Sequence, residues 1–132
     1  MNVVPSATVI DHAAFDRLVM SELPDVAAEL DSDDRALLHM EMAAVARATS
    51  RAIEVGDLPA TAQHLTLMEE VLARADGAVE NAVYVSYLEN VFLGDERPAF
   101  LAARGRLPPR LAKGLVELEE HWEKLARHAK DT

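Results

Sequence analysis

Cysteine is absent from this chain of 132 residues. Disulfide frameworks, thiolate zinc centres and cysteine nucleophiles are therefore excluded together. Long apolar runs are missing as well. No segment approaches the roughly 20 apolar residues that a membrane span needs, and the N-terminal stretch MNVVPSATVIDH has neither a basic n-region nor a long apolar stretch. These features predict a cytoplasmic protein with no membrane partner. There is no glycine-rich phosphate loop, and none of Ser21, Ser32, Ser50 and Ser86 sits in a Gly-flanked nucleophile elbow or beside a lysine in a recognised spacing.

Basic residues are scarce too, 13 against 23 acidic ones, for a net charge of −10. The deficit is uneven. Residues 1–95 carry 17 acidic and 5 basic side chains, a net of −12, whereas residues 96–132 carry 6 acidic and 8 basic, a net of +2. Such a field repels phosphate backbones and speeds encounter with basic surfaces. It argues against ordinary nucleic-acid binding and is permissive for a cationic protein as partner, beside the plain alternative that the charge serves solubility.

What the chain does contain is helix punctuation. Asp11 precedes Phe15, Leu18, Val19 and Glu22 at three- and four-residue spacing, which predicts an N-capped amphipathic helix over about residues 11–22. Pro24 opens a short piece, PDVAAEL, and Ser32 or Asp33 is placed to cap the next helix. There Leu37, Leu38, Glu41, Ala44, Val45, Ala48 and Ala52 share a mostly apolar face running to Val55. Gly56 suits a left-handed close, Asp57 caps the following helix at once, and GDLP reads as a tight αα-hairpin. A helix over about 58–75 ends at the DG of residues 76–77. The stretch NAVYVSYLEN (81–90) shows no clean alternation. As a helix over about 78–92 it aligns Val79, Val83, Tyr87 and Val91 beside Tyr84, Leu88 and Phe92. Pro98 opens a short helix that Gly105 ends, and the prolines at 108 and 109 introduce a last one over about 109–129. Its apolar face would be Leu111, Leu115, Leu118, Trp122 and Leu125. The predicted fold is all-α. It is a single domain over residues 1–132, an antiparallel bundle or short superhelical stack of αα-hairpins with about six helices.

Candidate chemistry is thin. The five histidines fall in no HExxH motif, and the nearest ligand set, Glu117, His121 and His128, lies along one helix where the last two are about 10.5 Å apart in rise. Neither a metal nor a cofactor is expected. Catalysis would need His39 or His64 brought by the fold within reach of a buried acid. The run Asp31, Asp33 and Asp34 lacks the alternating ligands and central glycine of a calcium loop, so it reads either as helix capping or as an acidic edge. Asp25 and Glu29 would extend that edge. Tyr84 and Tyr87, with Asn81, Ser86 and Asn90, either line a groove or belong to the core.

The segments AIEVGDLPATAQHLTLMEEVL, NAVYVSYLEN and LPPRLAKGLVEL resemble, in that order, blocks of a bacterial family of small all-helical proteins. The resemblance covers about residues 35–118 and is most specific at 81–90. Some members of that family accompany secreted polymorphic-toxin systems. The resemblance implies a small binding protein, an immunity protein among the options, and no catalytic motif. Asn81, Tyr84, Tyr87 and Glu89 are the positions here that match its distinctive block. Together with the charge, it leads to an expected non-catalytic immunity protein covering a cationic toxin domain. In this reading Asp25, Glu29, Asp31, Asp33 and Asp34 steer association. The alternative is a scaffold or adaptor that binds a peptide or helix beside the tyrosines.

Overall fold

The computed structural model describes residues 8–130. Helices α1 (His12–Glu22), α2 (Pro24–Ala28), α3 (Ser32–Arg35), α4 (Leu38–Glu54) and α5 (Leu58–Arg74) follow one another through short turns. Next comes a continuous helical run made of α6 (Gly77–Ala82), a π-helical segment (Val83–Leu88) and α7 (Glu89–Val91). Helices α8 (Pro98–Arg104) and α9 (Pro109–Lys130) follow. The fold is all-α, and among the described residues, with that run counted as one, six helices reach seven residues or more. Among the described residues the only β feature is an isolated parallel bridge between Ile10 and Ala75. It ties the N-terminal segment to the α5–α6 junction through Ile10 N–H to Arg74 O (2.7 Å) and Asp76 N–H to Ile10 O (3.0 Å).

Local chemistry explains most boundaries. Asp11, Asp57 and Asp76 accept N–H bonds three residues on, from Ala14, Ala60 and Val79 at 2.9, 3.1 and 2.8 Å, each cap contributing about 1 kcal/mol. Gly56 takes the left-handed φ of 72° that closes α4. The cap after α2 differs from expectation. Asp31, not Ser32 or Asp33, accepts from Asp34 N–H (2.8 Å), and the helix it starts stops after one turn before α4 begins anew at Leu38.

Helix α4 is the hub: it packs on α5, α7, α8 and above all on the π segment. Its buried Ala44, Ala46 and Ala52 let neighbouring backbones approach, while Met42, Val45 and Ile53 fill the space between them. The π turn was not legible as such. It buries three consecutive residues, Ser86, Tyr87 and Leu88, and lets Asn90 Nδ2 donate to Ser86 O at 2.9 Å.

Helix α9 lies on α5 and the π segment through Leu111, Leu115 and Leu118, with Gly114 buried against the π segment. A Cβ there would meet Leu88 Cδ1 at 3.1 Å and Tyr84 Cζ at 3.2 Å. Gly114→Ala should be near neutral, because better helix propensity of about 1 kcal/mol offsets the crowding. Gly114→Leu should destabilise by about 2–3 kcal/mol in urea unfolding, since α9 must lift off the π segment.

The expected apolar face of α9 continues only in part. Leu111, Leu115 and Leu118 are buried, but Trp122 and Leu125 remain 45% and 46% exposed, because residues 120–130 extend past the rest of the bundle.

Candidate functional site

A cleft of about 510 Å³ opens between α2, α4 and α5. Four carboxylates line it: Glu22 at the end of α1, Asp25 in the first turn of α2, Glu29 just past α2, and the α5 cap Asp57. Arg51 is the one lysine or arginine among the described lining residues. Its guanidinium sits 3.3 Å from both oxygens of Glu29, and both side chains are about half exposed, so water screens the pair. Gln63 donates to Glu22 O (3.0 Å) and fixes the rim of α1 against α5.

His64 on α5 also lines the cleft. Its Nδ1 is 2.9 Å from Thr49 Oγ1, which in turn lies 3.0 Å from the Tyr87 hydroxyl and 3.1 Å from Val45 O. One arrangement uses every group: Thr49 donates to Val45 O while Tyr87 O–H and His64 Nδ1–H both donate to Thr49 Oγ1. Burial lowers the His64 pKa, so the ring is neutral, and this tautomer leaves Nε2 as its acceptor. Burial likewise raises the pKa of the Tyr87 hydroxyl.

The acidic residues read from the sequence thus divide. Asp25 and Glu29 come together in the cleft. Asp31, Asp33 and Asp34 are not among the residues lining it. Asp31 is occupied as the α3 cap, and Asp33 and Asp34 lie in that helix's first turn. Glu22 and Asp57, which the sequence placed on a helix face and at a helix cap but not in an acidic edge, join the cleft because the packing of α1 and α5 against α2 brings them there.

The tyrosine block divides as well. Asn81 and Tyr84 line a groove of about 430 Å³ between α6, the π segment and α9, facing Glu117 and His121. Tyr84 O–H donates to Glu117 Oε1 at 2.9 Å, and burial together with that carboxylate pushes its pKa up to about 12. Tyr87 is fully buried, so its side chain has no surface to offer a partner; it is core. Glu89 is partly buried at the far end of the run.

Two imidazole pairs complete the inventory. His39 Nδ1 lies 2.6 Å from Ser86 Oγ, and among the described residues no acid bonds to that ring. Neither His39 nor His64 therefore meets a buried acid. The buried acid is Glu41, and its imidazole neighbour is His12, with Nε2 at 3.2 Å from Oε1. Burial first, then the adjacent Asp16 carboxylate, push the Glu41 pKa up to about 8. Asp16 itself is held well below the usual carboxylate range by two bonds from Arg35, of 3.0 and 2.9 Å, helped by Glu41. The signal for Glu41 was its register on the apolar face of α4. Among the described residues no three His, Asp or Glu side chains are arranged to hold a metal ion, and no helix is long and apolar enough to cross a membrane.

Residues 17–123 match a family described as a domain of unknown function, DUF7674, and the chain belongs to that family. The matched span is wider than the 35–118 block that carried the resemblance and takes in the acidic segment 25–34. No curated protein and no solved structure matches the chain.

Proposed function

We propose that this member of the DUF7674 family is a non-catalytic protein-binding module whose acidic cleft receives a lysine or arginine side chain of a protein partner. More specifically, we propose an immunity protein that neutralises a basic bacterial toxin by occlusion and charge complementarity. The observation that carries this reading is the convergence of Glu22, Asp25, Glu29 and Asp57 on one cleft whose single arginine is already engaged by Glu29. The His64 Nε2 acceptor adds a neutral partner for an N–H donor. A cation entering there would face an excess of carboxylates, and its aliphatic stem would rest on the apolar Val26 and Ala52.

The test is kinetic. Association with the basic product of a neighbouring gene is expected to slow by at least about tenfold between about 0.02 and 0.3 M salt. The double substitution Asp25→Lys, Glu29→Lys should lower the on-rate by a similar factor, with a smaller change in the off-rate. An on-rate indifferent to both would remove the cleft from the account. Rescue of cells expressing the neighbouring product tests the immunity role directly.

A second reading, an adaptor that takes a peptide or helix beside Tyr84, is favoured by the groove that Tyr84 and Glu117 flank. It predicts binding that is insensitive to salt and weakened chiefly by Tyr84→Ala.

A further inference from the structure

The apolar positions of α9 fall at 111, 115, 118, 122 and 125, alternating steps of four and three. This is the spacing of a coiled-coil seam, with Leu115 and Trp122 at one core position of the heptad and Leu111, Leu118 and Leu125 at the other. The fold uses only the first three: Leu118 is 8% exposed, whereas every residue from 120 to 130 is exposed. The seam therefore runs on beyond the body, with Trp122 and Leu125 uncovered on the same stripe.

Charge along this segment is segregated. Glu117, Glu119, Glu120 and Glu123 precede Lys124, Arg127 and Lys130. Glu117 and Glu119 are already engaged by Tyr84 and Arg104, which leaves Glu120 and Glu123 as the outward acids. A parallel pair of such helices would set acid beside acid and base beside base. An antiparallel pair sets each acidic half beside the basic half of the other.

We propose that the protruding half of α9 pairs antiparallel with the same segment of a second copy of this chain. Trp122 of each copy packs in one layer with Leu125 of the other, across a two-fold axis near residues 123 and 124. The contact is self-complementary, as a two-fold interface must be: the same patch serves both copies and closes on itself. It covers about two heptads, so the dimer is a weak one that concentration and salt control. The acidic cleft uses α1, α2, α4 and α5, so the dimer would carry two such clefts.

The chain has a single tryptophan, Trp122, which makes its emission a direct reporter of the seam. Sedimentation equilibrium and fluorescence on the 132-residue protein from low micromolar to submillimolar concentration are expected to show a monomer–dimer transition together with a blue shift. High salt should reverse both. Leu125→Glu should abolish the shift. Lys124→Glu with Arg127→Glu, which leaves Lys130 as the only lysine or arginine of the basic half, should raise the dissociation constant at least about tenfold at low salt. Glu120→Lys with Glu123→Lys should do the same, and an equimolar mixture of the two double variants should recover the dimer. All these residues are exposed, so an unchanged thermal midpoint shows that the fold is intact. A protein that stays monomeric with constant emission over the whole range overturns the proposal. So does a blue shift that appears only with lipid vesicles, or a dimer whose affinity is unaffected by Lys124→Glu with Arg127→Glu.

Discussion

Glu41→Gln is expected to stabilise the protein by about 2–4 kcal/mol near pH 9 and to leave its stability near pH 4 almost unchanged. The reason is a carboxyl that the fold holds in its neutral form. Glu41 is 0% exposed, and neither of its oxygens makes a well-formed hydrogen bond. Beside it stand the Asp16 carboxylate, itself fixed by Arg35, and His12 Nε2 at 3.2 Å from Oε1. The unfolded chain releases this proton near the ordinary value of 4.5, whereas the native state keeps it until about 8. Between these values the native state binds more protons than the unfolded one, so stability falls as pH rises, by up to about 1.4 kcal/mol per unit. The contribution is fully present below about pH 4.5 and lost above about 8. Asp16 works in the opposite sense, but its lowered pKa completes that gain at acidic pH and leaves the neutral-to-basic window to Glu41. Glutamine keeps the size of the neutral side chain, offers Asp16 an N–H donor and has no proton to lose. Burial of neutral His64, together with the other groups whose pKa is lowered, makes stability rise with pH in both proteins up to about 6.5, so the comparison is clean above it. Urea midpoints measured from pH 7 to 9 should slope downward in the parent and run flat in the variant. Parallel profiles would show that Glu41 is not protonated in the native state.

The second large effect lies behind the cleft. Thr49→Val should cost about 2–3 kcal/mol, because it leaves both the Tyr87 hydroxyl and His64 Nδ1 without the partner they share. Tyr87→Phe should cost only about 1 kcal/mol, since Thr49 keeps Val45 O and His64. The double variant is the sharper test. Once Tyr87 has lost its hydroxyl, Thr49→Val orphans one group instead of two, so the combined loss should fall short of the sum by about 1 kcal/mol. Additive losses in chemical unfolding would mean that the three side chains do not act as one network.

These two effects also mark the limit of legibility. That Glu41 sits on the apolar face of α4 could be read from its register with Ala44, Val45, Ala48 and Ala52. That His12 and Asp16 of α1 would meet it could not, because a helix face says nothing about which neighbour covers it. His64 was visible as a candidate base, yet its partner proved to be a threonine 15 residues earlier across the α4–α5 hairpin. Tyr84 and Tyr87, three residues apart in one block, were separated by the π turn and its packing into a groove-lining residue and a core residue. In α9 the repeat predicted a continuous apolar face, but the body it packs on ends near Leu118.

The sequence by itself determined the helices and most of their ends, since caps, prolines and a left-handed glycine act within three or four residues along the chain. It also determined the balance of charge and the chemistry that the lack of cysteine forbids. Only the tertiary structure decided that Glu22, Asp25, Glu29 and Asp57 share one cleft while Asp31, Asp33 and Asp34 do not, which acid is buried, and where the seam of α9 leaves the body. Those outcomes depend on contacts between residues far apart in the chain, and such contacts are set by how whole helices pack, which no local pattern encodes.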